Sequence, residues 1–265
     1  MNAVYLVLSL LILLIIIIGS IRRSRFYPDK FLLLIILLFF LPGLARVFPA
    51  NFMDIFSNES FTWPFVIGMA VGYPISRWLN RVSGFSTFEH ELTHAFVAVL
   101  FFKRITRFVV TKNSGGYVEY SGGIQSKTAN HLITLAPYYL PLFLFLFVLI
   151  RPFLSQKFFP YYDGWLGLWF TFYLMTWYEE IKRNSSSRPF RAAGSGQYSF
   201  SDITSEGHVF SFTFIVTFTL LIYNVIFTIL ENGYRGFHSL FLSVWERSVW
   251  FYTQIFHALE QFINH

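Results

Sequence analysis

The chain contains no cysteine. Disulfide frameworks, thiolate metal sites and cysteine nucleophiles are excluded at once. Charge is scarce too. Asp, Glu, Lys and Arg make up 13% of the 265 residues, against about 25% in an ordinary soluble domain. Apolar side chains fill the difference: 55% of residues are hydrophobic and 22% aromatic. That much apolar surface needs lipid as its solvent, so the composition reads as an integral membrane protein. The net charge of +6 sits in short clusters between apolar runs. No basic face is interleaved with base-stacking aromatics, so nucleic acid is not expected as a partner and the lipid bilayer is.

The apolar runs set the organisation. Residues 3–20 form the first, closed by Arg22, Arg23 and Arg25. Others cover 31–48, about 62–80, 84–102, 129–151, 164–181 and 208–230. Most lie near the roughly 20 residues that a bilayer crossing requires. The expected fold is an all-α polytopic membrane protein with six or seven transmembrane helices. It divides into N-terminal transmembrane helices (1–60), a core (61–232) and a C-terminal amphipathic helix (233–265).

Two segments break the helical pattern. In 105–124, alternating β-branched and aromatic residues flank Asn113-Ser114-Gly115-Gly116, which predicts a β-hairpin. Residues 184–201 are rich in Ser, Gly and Arg and read as a polar loop. In 237–264, Phe241, Val244, Trp245, Val249, Tyr252, Ile255, Phe256, Leu259 and Phe262 share one helical face. Such a helix lies in the membrane interface, or packs as a further helix, or offers its face to a membrane-protein partner.

The chemistry concentrates in His90-Glu91-Leu92-Thr93-His94. Four residues are a little over one helical turn, so His90 and His94 project from one face and can share a metal ion. Glu91 is offset by about 100°, outside the ligand set but near enough to serve as general base. The ion expected of this motif is Zn2+. An ionisable cluster in an apolar run is expensive unless it binds something or lines a wet cavity.

The motif, together with two weaker segments, resembles the site-2 protease family of intramembrane zinc metalloproteases. The closest likeness is to its short branch without appended domains. The supporting segments are Gly115-Gly116-Tyr117-Val118, similar to the family's Gly-rich strand after the zinc helix, and Leu135-Ala136-Pro137-Tyr138-Tyr139-Leu140-Pro141. Pro137 stands where the family usually has glycine, and the family's Asn-x-x-Pro-x-x-x-Leu-Asp-Gly segment is not intact. The resemblance implies a peptide hydrolase in which His90 and His94 bind zinc and Glu91 is catalytic. It also implies that Gly115, Gly116 and Tyr117 present substrate, an unwound membrane peptide pairing with the hairpin edge.

A catalytic zinc needs a third protein ligand. Downstream candidates are His131, Asp163, Glu179, Glu180, Asp202, Glu206 and His208. Asp202, in Ser199-Phe200-Ser201-Asp202, is similar to the Ser-Asp pair of the short branch and is the expected ligand. Asp163, in Pro160-Tyr161-Tyr162-Asp163-Gly164, is the alternative. The expected substrate is a membrane protein or peptide, and the expected location a bacterial inner membrane. A non-catalytic scaffold that keeps the fold is the competing expectation.

Overall fold

A computed structural model describes residues 28–82, 84–111, 115–184, 190–191, 198–199, 203 and 206–263. The expected span at 3–20, the polar loop and Asp202 fall wholly or mostly outside them. Eight helices and one hairpin form the described frame. They are α1 (Pro28–Phe56), α2 (Glu59–Val82), α3 (Phe85–Leu100), β1 (Arg104–Thr111), β2 (Gly115–Ser121), α4 (Lys127–Tyr139), α5 (Leu142–Ile150), α6 (Phe159–Asn184), α7 (His208–Asn232) and α8 (Phe237–Ile263). A two-residue pairing of Phe190–Arg191 with Tyr198–Ser199 completes the described strands.

The helical class and the hairpin are as expected; six or seven spans are not confirmed among the described residues. Among the described residues, two segments are long and apolar enough to cross a membrane: Lys30–Phe56 and His208–Gln261. A third arises if Lys127–Tyr139 and Leu142–Phe153, bent by 86°, count as one span. The bend has a local cause. Leu140 is extended (φ −106°, ψ 103°), as the residue before Pro141 is biased to be. The single run read at 129–151 is therefore two helices. The run at 84–102 folds as the 16-residue α3, about 24 Å long and too short to cross alone.

Helices α2 and α6 are long but carry much Gly, Pro, Ser, Trp and Tyr, which lowers their hydropathy. Those small residues serve packing instead. Gly68 lies against the backbone of Gly164, Gly72 against Leu168, and Gly167 against the carbonyl of Phe65. A methyl at Gly68 or Gly167 would collide with backbone. Small residues that let two helices approach closely are the usual device for packing in lipid, where neighbouring helices gain little from apolar burial.

The C-terminal amphipathic helix packs as a further helix. Gly43 of α1 abuts Ser248 of α8, Phe39 stacks on Tyr252 at 5.5 Å, and the Tyr252 hydroxyl donates to the Leu38 carbonyl at 2.7 Å. Its apolar face divides accordingly. Val244 and Ile255 are buried, whereas Phe241, Trp245, Val249 and Phe256 stay exposed.

The core that positions the site joins α3, α4 and the start of α7. Val97 and Ala98 pack with Ile133, Leu135 and Ala136, and with Phe210 and Phe214. The hairpin rides on α3, with Phe108 edge-on to Phe88. Its register pairs Val110 with Gly116 and Thr111 with Gly115. Both glycines thus belong to strand β2, and neither has positive φ.

Candidate metal centre

Helix α3 starts at Gly84, whose left-handed φ of 63° turns the chain out of α2. From there the motif falls into register. His90 Nε2 and His94 Nε2 stand 3.2 Å apart. Neighbouring ligands of a tetrahedral zinc, with bonds of about 2.0–2.1 Å, are spaced about 3.3 Å. The two nitrogens therefore sit at the spacing that one shared ion requires.

The orientation of His94 is fixed from α4. Its Nδ1 lies 2.7 Å from the carbonyl oxygen of Ile133. A carbonyl only accepts, so Nδ1 carries the proton and the neutral ring leaves its Nε2 lone pair for a metal. This is the outer-shell arrangement that metal-binding histidines use. The carbonyl is open for this role because of the residue four positions on. In an α-helix the Ile133 oxygen would accept from the N–H of residue 137, and Pro137 has none. Where the sequence shows only a departure from a family glycine, the structure shows a proline that leaves the Ile133 carbonyl open to His94. The ring of His90 meets the ring of Tyr138 edge-on, 5.8 Å between centroids.

Glu91 is 6% exposed. Strand β2 covers it. A Cβ at Gly116 would stand 2.6 Å from Glu91 Cγ and 3.0 Å from its Oε1, and 2.7 Å from the Val109 carbonyl oxygen. Glycine is needed at 116 by contact with the carboxylate side chain. A turn with positive φ, which the sequence pattern suggests, is not the reason. Tyr117 lies half-buried under the guanidinium of Arg107, at 5.4 Å.

Residues 64–184 match the Peptidase M50B-like family model. That match supports membership of the site-2 protease family. No curated protein and no solved structure matches the chain. The matched segment runs from α2 to the end of α6. It contains the His-Glu-x-x-His motif, the hairpin and Pro137, and it ends before Asp202.

Site-2 proteases are in general zinc-dependent, and the donors His90 and His94 fit that ion in spacing, His94 in tautomer as well. Among the described residues, however, no group of three or more His, Asp or Glu stands close enough together to hold a metal. Asp202 lies outside the described residues. Asp163 is not brought to the histidines. It is 2% exposed and its Oδ1 accepts from Arg151 Nε at 3.3 Å. His131 and Glu206 are engaged with each other, Nδ1 to Oε2 at 2.7 Å, and Lys30 Nζ lies 2.6 Å from the same oxygen. His208 is exposed, and Glu179 and Glu180 lie near the C-terminal end of α6.

The Lys30–Glu206–His131 cluster escaped the sequence reading as a unit, because Lys30 and Glu206 are 176 residues apart in the chain. It ties the first turn of α1 to the approach to α7 and to α4. Burial raises the Glu206 carboxyl, but hydrogen bonding and charge from His131 and Lys30 outweigh it, and the net direction is downward.

Proposed function

We propose that this integral membrane protein is an intramembrane zinc metalloprotease that hydrolyses peptide bonds of membrane-associated substrates within or near the bilayer. The observation that carries the reading is the His90–His94 pair, spaced for one ion at 3.2 Å and oriented through the Ile133 carbonyl. His90 and His94 hold Zn2+, with Asp202 as third ligand. When bound, zinc supplies a water acidified to a pKa of about 7 and a polarised scissile carbonyl.

The chain's own residues do the rest. Glu91 takes a proton from the attacking water and returns it to the leaving amine nitrogen. Its cover by β2 keeps bulk water from competing for the carboxylate. Among the described residues the hairpin has two strands, so each strand has one edge outside the β1–β2 pairing. An extended substrate segment adds to such an edge through main-chain hydrogen bonds near Gly115, Gly116 and Tyr117. We place the protein in a bacterial inner membrane.

Glu91→Gln tests the reading. The variant should fold, keep its zinc and lose cleavage by about 10²–10⁴-fold. Loss of zinc would make Glu91 a ligand. A second reading is a non-catalytic scaffold that uses the same fold to bind a membrane partner. Under that reading Glu91→Gln retains full biological function.

A further inference from the structure

The residue that the sequence offered as an alternative zinc ligand belongs to a different cavity. Asp163 lines a space of about 450 Å³ together with Arg151, Asp54, Glu231, Asn58 and Gln156. Asp54 stands in the last turn of the candidate span Lys30–Phe56, and Glu231 in the last turn of α7. The cavity therefore opens where two apolar helices end, at the level of lipid headgroups.

Its charges are arranged in two parts. Arg151 is held rigidly: Nη1 donates to the Leu230 carbonyl at 2.6 Å, Nε donates to Asp163, and the guanidinium lies 4.3 Å from the ring centroid of Phe159. A guanidinium has five N–H groups; two are engaged, and Nη2 has no partner among the described residues. Asp163 is 2% exposed and lines the cavity, and among the described residues Oδ1 accepts from Arg151 while Oδ2 receives no hydrogen bond. Across the space stand the exposed carboxylates of Asp54 and Glu231. A simple anion would meet three carboxylates against one guanidinium. A divalent cation lacks a ligand set, since no three acidic groups come close enough to hold one among the described residues. A ligand bearing one negative and one positive group satisfies both parts.

A second feature gives that ligand an apolar end. Phe61 and Leu230 give the polar cavity an apolar wall, and the space behind them, against Phe56, Phe65, Leu144 and Phe227, is only about 10 Å³, so alkyl carbons lie on that wall and do not pass behind it. We propose that this cavity binds the headgroup of an aminophospholipid of the phosphatidylethanolamine type. The phosphate meets the free N–H groups of Arg151, the primary ammonium meets Asp54, Glu231 and the open oxygen of Asp163, and the first acyl carbons lie along Phe61 and Leu230. Charge-assisted bonds to a planar guanidinium are the common mode of phosphate recognition. A choline headgroup has no N–H to give the carboxylates. The site is independent of the zinc motif and of whether that motif is catalytic.

The test uses the full chain in bilayer nanodiscs of equal phosphatidylethanolamine and phosphatidylcholine, with bound lipid read by native mass spectrometry. Wild type should retain phosphatidylethanolamine over phosphatidylcholine by about tenfold. Asp54→Asn/Glu231→Gln alters only exposed carboxylates, so it should melt like wild type in pure phosphatidylcholine and lose the preference. Water-soluble phosphoethanolamine, added without the lipid, should not stabilise wild type. Equal retention of the two lipids, an unchanged preference in the variant, or full stabilisation by the soluble compound would each overturn the proposal.

Discussion

Pro137 and His94 meet at a single carbonyl. The proline withholds the N–H that would claim the Ile133 oxygen, and His94 Nδ1 takes that oxygen at 2.7 Å. Pro137→Gly, which restores both the N–H and the usual family residue, should leave α4 folded and let the helix compete for the carbonyl. Zinc affinity should fall by about 10–100-fold, the usual cost of losing an outer-shell partner. Zinc titration of the purified variant decides the matter, and an unchanged affinity would remove Pro137 from the account.

Gly116→Ala adds one methyl where Glu91 Cγ would be 2.6 Å away. The carboxylate side chain or the strand must shift. We expect cleavage to drop by at least about 10²-fold, the scale of lost general-base assistance, while zinc occupancy and melting temperature change little. If activity survives and melting falls, the glycine matters only for hairpin packing.

Asp202→Ala should lower zinc content and remove activity. Asp163→Ala should do something different: it leaves Arg151 half-buried without its carboxylate. Breaking one side of a buried pair typically costs about 3–5 kcal/mol. The variant should therefore melt earlier but retain its zinc by metal analysis. Loss of zinc without loss of stability would return Asp163 to the ligand set.

Glu206 supplies a pH-dependent clamp. Its carboxyl is held below the ordinary value, against burial, by His131 and Lys30. A carboxyl lowered on folding contributes stability above its unfolded value, near pH 4.3, and that contribution disappears as pH falls through the lowered value. Wild type should melt above Glu206→Gln at pH 7, and the gap should close in acid. A gap that persists unchanged in acid would mean the charge is not what stabilises this corner.

The amino-acid order alone determined whatever depends on one element's own period. The apolar runs mark most of the helices, the Asn-Ser-Gly-Gly stretch marks the hairpin, and His-Glu-x-x-His puts two imidazoles on one helical face. Only the tertiary structure decided what stands opposite those faces. Sequence spacing cannot report that Ile133, 39 residues from His94, offers its carbonyl, or that Gly116 lies on Glu91. Nor can it separate Asp163 from the histidines, because the partner that claims it, Arg151, lies across a helix break. Periodicity records which side of a helix is apolar; the choice among the polar groups that could meet it is made by close packing between distant segments, where a missing N–H or a missing methyl settles which contact forms.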